Sequence, residues 1–176
     1  DVLIVLCYAQ WEGYLNYCVR NLIRIVNESK LPAGVLMPGL LVCELGPILE
    51  SAIDRRFSFQ SKIDMARQLN SAFKKMSVIE NYKLVGAASN LDFKRLAEVF
   101  SALGIRLGEL AHHKTFIERQ LVAWRHQVAH GDAPNLEGAD LIRHSQTTES
   151  LLTILGDKFS DRAMEIDRQE HQLHLG

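Results

Sequence analysis

A chain of 176 residues, 47% hydrophobic and 23% charged, is long enough to bury a core of its own without disulfides or a structural metal. Twenty Lys and Arg against twenty-one Asp and Glu leave a net charge of -1, which excludes a protein that grips nucleic acid through its overall field; any such contact must be local. With 4 Pro, 11 Gly and no low-complexity run, disorder is excluded too, and one domain over 1–176 is expected.

The first segment places Ile4, Trp11, Leu15, Cys18, Val19, Leu22 and Val26 at spacings of three and four, the stripe of a long amphipathic helix running to about Glu28. Leu31 to Gly39 is rich in Pro and Gly and reads as the first connection. A shorter apolar helix follows from Leu40 to Ile53, with Pro47 starting or kinking it. Ser61 to Met76 reads as a helix with Ile63, Ala66, Leu69 and Phe73 inward and Lys62, Arg67, Lys74 and Lys75 outward. Val78 to Ala88 has no clean period and reads as loop, with a short extended piece around Tyr82 to Val85.

Ser89-Asn90-Leu91-Asp92 has the form of a helix cap ahead of Phe93, Leu96, Val99, Phe100 and Leu103, and Gly104 stops that helix. Thr115-Phe116-Ile117-Glu118 has the form of a capping box, opening a helix whose inward residues are Ile117, Leu121, Trp124 and Val128 and which Gly131 ends. The last helix is expected from about Glu137 to Phe159, extending at most to Arg168, with a polar, loosely ordered tail beyond. No stretch alternates with period two, so the fold class is all-α, an antiparallel bundle of four to five helices.

Cys7, Cys18 and Cys43 are odd in number and stand in no metal-ligand spacing, so they read as reduced core thiols of a cytoplasmic protein. The longest uncharged apolar stretch, Leu31 to Cys43, is interrupted by Pro32 and Pro38 and is too short to span a membrane. The chain opens on Asp1 without a Met and enters a helical pattern at once, so native sequence is expected to precede it, a removed signal peptide being one form of it.

Chemistry concentrates in Trp124-Arg125-His126-Gln127-Val128-Ala129-His130-Gly131-Asp132, which packs a guanidinium, two imidazoles and a carboxylate at a helix C-terminus. On an ideal helix Arg125 falls at the edge of the apolar stripe, while His126 and His130 fall opposite it and face solvent or a partner chain. Arg125 and His130, five residues apart, diverge by about 140° and do not easily clasp one phosphate; two copies in an isologous dimer bring both pairs into one cleft. Between Arg106 and His130, Arg106, Lys114, Arg119 and Arg125 stand against Glu109 and Glu118, a local excess of two positive charges.

Plainer readings stand beside this one. A basic residue near a helix C-terminus is ordinary capping. His126 and His130 also have the i, i+4 spacing of a zinc-protease helix, but Gln127 stands where that chemistry needs a Glu base, so no metal site is assigned. His112-His113 reads as a solvated pair, Lys74-Lys75 as a solvated face, and Arg143-His144 as facing the motif helix, with surface pairing to Glu137 or Asp140. Trp11 and Trp124 read as core or interface aromatics.

The spacing Arg125-x4-His130, with a polar residue after the Arg and a small-Gly turn after the His, resembles the R-x4-6-H motif of HEPN domains. Tyr8-Ala9-Gln10-Trp11-Glu12-Gly13-Tyr14 and Ser89-Asn90-Leu91-Asp92-Phe93 are similar to a prokaryotic branch of that family found in toxin and phage-defence settings. The resemblance implies a dimeric helical bundle acting as a metal-independent endoribonuclease without cofactor, with RNA and an antitoxin or companion defence protein as partners. In it Arg125 and His130 are catalytic, His126 is accessory, and Arg119, Gln127 and Asp132 contact the substrate. The alternatives are a non-catalytic dimerisation or RNA-binding module of the same fold, and a helical adaptor with no RNA role.

Overall fold

A computed structural model describes residues 1–53, 58–75, 78–80, 90–132 and 134–174. The elements are helical and contain no strand among the described residues: α1 Val2–Glu28, a 3-10 turn Ala33–Val35, α2 Pro38–Ile53, α3 Phe59–Lys74, α4 Phe93–Ala102, a composite rod over 108–129, and α7 Gly138–His174. Within the rod, a 3-10 segment Gly108–His113 leads into α5 Lys114–Phe116, a π turn Ile117–Val122 and α6 Ala123–Ala129. None of these helices is long and apolar enough to cross a membrane.

The hydrophobic stripe of α1 becomes the centre of the molecule. All seven residues of the expected stripe are buried, joined by Cys7, Tyr8 and Ile23. Each such large side chain removed from water contributes about 1.5–3 kcal/mol. α1 is flanked by α7 along its length: Cys7 reaches Ser145 and Thr148, the Tyr14 hydroxyl sits against Gly156, and Cys18 and Leu22 line a cavity with Phe159 and Ala163. Position increases together along both helices, so they ascend in parallel. The inward face of α7 is His144, Thr148, Leu151, Leu155, Phe159 and Ile166, separated by steps of three, four and seven, the helical repeat.

Pro38 supplies the first helical position of α2, where its missing N–H costs nothing. Gly39 lets that turn touch α4: a Cβ there would lie 2.3 Å from the Ala102 carbonyl oxygen. α4 ends as the sequence predicts. Gly104 takes φ +66°, the Ile105 N–H donates to the Phe100 carbonyl at 2.8 Å and the Gly104 N–H to the Ser101 carbonyl at 3.1 Å, the paired bonds of a Schellman turn.

Several expectations are corrected. α3 begins at Phe59, capped by the Ser58 hydroxyl, and none of its residues is buried; the residues expected to point inward are half-buried or exposed. Within the expected cap stretch the Asp92 carboxylate caps α4, accepting from the Arg95 N–H at 2.7 Å, and Ser89 lies outside the described residues. Thr115 starts no helix, because Gly108, at φ +54°, has already opened the rod upstream. α7 runs well beyond Phe159 to His174, since Ile166 prolongs the buried stripe and the Arg162–Glu165 and Asp167–His171 pairs support the last turns. The described part of the expected loop, 78–80, is not helical, and Asn27 clamps both Ile79 backbone groups, at 2.9 and 3.3 Å. The extended piece at 82–85 lies outside the described residues.

Candidate functional site

Three stretches far apart in the chain meet at one place. From α1, Tyr8 and Trp11 rise one turn apart into the turn before α4: the Tyr8 hydroxyl accepts from the Leu91 N–H at 2.7 Å, and the Trp11 indole N–H donates to the Leu91 carbonyl at 3.4 Å. Leu91 is itself fully buried, so its backbone groups need these partners. Asn90, immediately before it, adopts φ +74°, a left-handed conformation in which Asn is among the more tolerant residues. The Asp92 N–H closes the turn on the Asn90 carbonyl at 3.0 Å.

This turn faces α6. Arg125 donates from Nη2 to the Asn90 side-chain oxygen at 2.8 Å, and His126 Nε2 lies 3.2 Å from the same oxygen. The Arg125 guanidinium carbon sits 4.3 Å from the centre of the Tyr8 ring, a cation–π contact of about 0.5–2 kcal/mol. Burial, first, and the Glu12 carboxylate, second, push the Tyr8 hydroxyl up to about 12, against the opposing effects of the Leu91 N–H and the Arg125 charge. Tyr8 therefore keeps its proton at physiological pH and offers Arg125 a neutral ring.

The π turn sets how α6 meets this platform. The Ala123 N–H reaches back five residues to the Glu118 carbonyl, so one extra residue is accommodated before Arg125. Downstream, His130 is the C-cap of α6 and Gly131, at φ +83°, carries the chain out. The Asp132 N–H donates to the Gln127 carbonyl at 2.9 Å and the Gly131 N–H to the Val128 carbonyl at 3.2 Å, a second Schellman turn.

Of the residues singled out by sequence, Arg125 and His126 are brought together and half-buried. His130 is exposed at the helix end, and among the described residues its ring makes no hydrogen bond to Arg125. Gln127 and Asp132 face solvent beside it, and Arg119 is exposed on the π turn, upstream of the cluster. Among the described residues no group of three or more His, Cys, Asp or Glu side chains could hold a metal. Cys7 and Cys18 are buried and Cys43 half-buried, all free, and burial raises each thiol above its ordinary range, which keeps them protonated.

His144 faces the motif helix as the sequence suggests, but not in the expected surface pairing. Arg143 is exposed, but His144 is fully buried, its ring 5.1 Å from that of Trp124 and 5.4 Å from that of Phe116, and neither ring nitrogen has a hydrogen-bond partner. Asp140 does not pair with it; its carboxylate accepts from the Glu137 N–H. Burial lowers the His144 pKa, holding the ring neutral against the motif helix. The usable signal was register: 144, 148, 151 and 155 lie on one helical face. The roles of Tyr8 and Asn90 were carried only by the co-occurrence of their stretches with the motif.

A helical bundle in which α1, the pre-α4 turn and an Arg-x4-His helix end converge defines a protein of the HEPN class. The family model described as MAE_28990-like HEPN matches residues 2–167, and the chain belongs to that family. No curated protein and no solved structure gives a significant match.

Proposed function

We propose that this chain is a metal-independent endoribonuclease of HEPN type, one domain over 1–176 that works as a homodimer. The observation that carries the reading is the convergence of Arg125 and His126 on Asn90 and Tyr8, one turn from the exposed His130. RNA brings its own nucleophile, so a protein need only orient the sugar-phosphate, move two protons and neutralise the phosphorane. Arg125 supplies a fixed, permanently charged fork for phosphate oxygens. His130 supplies an imidazole, the side chain suited to proton transfer near neutrality. The 2′-oxygen attacks phosphorus, the 5′-oxygen leaves, and the products are a 2′,3′-cyclic phosphate and a 5′-hydroxyl.

Arg125 and His130 of one copy point along different sides of the same helix end, which supports a cleft shared between two copies. Gln127 and Asp132, exposed around that end, and Arg119, exposed on the π turn upstream, are the substrate-contact candidates. A cytoplasmic toxin or phage-defence setting, with an antitoxin or companion protein, belongs to the same reading. The local excess of positive charge is small, so RNA affinity is expected to fall steeply with salt.

The test is cleavage of total RNA in excess EDTA by the wild type beside Arg125→Ala and His130→Ala variants that keep the wild-type fold and oligomeric state. The expected outcome is cyclic-phosphate ends from the wild type and a loss of about 10²–10⁴-fold in each variant. Linear 3′-phosphate ends with no cyclic intermediate would refute the mechanism. A second reading, a non-catalytic RNA-binding module, is favoured by the engagement of Arg125 with Tyr8 and Asn90, which suits a structural clamp. Under it the wild type binds RNA without cutting, and Arg125→Ala lowers stability alone.

A further inference from the structure

Asn90 is an exposed residue in a left-handed conformation, and one atom of its side chain meets both Arg125 and His126. The chemistry of those partners fixes the hydrogens. A guanidinium only donates, so the amide atom 2.8 Å from Arg125 Nη2 must be the oxygen. That oxygen only accepts, so the His126 Nε2 at 3.2 Å must carry a proton. In the neutral ring the other nitrogen, Nδ1, is then the unprotonated one.

We propose that Asn90 is a positioning residue that locks the Arg125 fork and commits His126 to the Nε2–H tautomer, leaving Nδ1 to take the proton of the attacking 2′-hydroxyl. The tautomer stands on the geometry alone; the proton transfer rests on the ribonuclease reading. The step balances. As the 2′-oxygen bonds to phosphorus, its proton passes to His126 Nδ1; as the bond from phosphorus to the 5′-oxygen breaks, that oxygen takes a proton from the His130 imidazolium. The two histidines exchange protonation states and no other reactant is consumed. The turn is rigid enough for this work. The Asp92 N–H bonds to the Asn90 carbonyl, and Leu91 is tied to Tyr8 and Trp11, so the Asn90 side chain has little freedom to leave the motif helix.

Asn90→Gly tests this cleanly, because glycine adopts φ +74° without steric cost while the side chain is lost. Asn90→Asp keeps the accepting oxygen. Ring ¹⁵N NMR of His126 above neutral pH is expected to show Nε2–H in the wild type and Asn90→Asp, and a mixture of tautomers in Asn90→Gly. With an RNA oligonucleotide in EDTA, kcat is expected to drop about 100-fold in Asn90→Gly with KM nearly unchanged, and to recover in Asn90→Asp. An Nδ1–H ring in the wild type, a tautomer indifferent to Asn90→Gly, or wild-type kcat in Asn90→Gly would each overturn the proposal. The expected tautomers with no cleavage by any form would sustain the positioning role and refute both the proton transfer and the ribonuclease reading.

Discussion

α1 and α3 look alike as sequences, each carrying apolar residues at helical spacing beside a polar face, yet α1 buries ten side chains and α3 none. Periodicity reports the capacity of a helix to bury a face, not what is there to receive it. α1 meets α7, the motif rod and the turn at Leu91, which together cover its apolar stripe, whereas α3 contacts chiefly α2 and the turn at 33–35. The same helix that anchors the core also carries Tyr8 and Trp11 into the candidate site, so stability and site geometry are coupled in α1 and independent in α3.

The largest effect that would sharpen this contrast is Trp11→Ala. It empties a fully buried site and removes the donor to the Leu91 carbonyl, so unfolding in urea should show a loss of about 3–5 kcal/mol. A loss under about 1 kcal/mol would remove α1 from its central role. A smaller effect is expected from His144. Its folded pKa lies below its ordinary value near 6.5, so the native state keeps the ring neutral while the unfolded chain takes up a proton. The contribution to stability is complete above pH about 6.5 and is lost as pH falls towards the lower folded value. Urea midpoints between pH 7.5 and 5.5 should fall more for the wild type than for His144→Leu; equal slopes would show that the ring is not held neutral. The smallest effect belongs to α3. Phe59 is 80% exposed, and Phe59→Ser should change stability by no more than about 0.5 kcal/mol.

What the sequence made legible is local. The α1 stripe and the stops at Gly104 and Gly131 follow from spacing and from residues with restricted chemistry, whereas His126, expected to face solvent opposite the stripe, is half-buried beside Arg125 against Asn90. What escaped is tertiary or competitive. Thr115 has the form of a cap, but an earlier start at Gly108 left no helix terminus for it to cap. His144 sits among polar neighbours in sequence, and only the aromatic rings of Phe116 and Trp124, supplied by another element, make its site apolar. Asn90 reads as cap chemistry because Asn, Ser and Asp all favour turns; that its oxygen serves a helix thirty-five residues later depends on Tyr8 and Trp11 holding the turn in place.

The π turn over Ile117–Val122 gives chain length a meaning at this site. The turn already absorbs one extra residue, so a deletion there would close it without turning the motif, whereas one further residue inserted in the regular helix after it would swing everything downstream by about 100° about the axis. Arg125 would leave the Tyr8 ring and His126 would leave Asn90, although every residue of the motif remained. The azimuth of the motif is written in a residue count upstream of it, where a search for Arg-x4-His alone would not look.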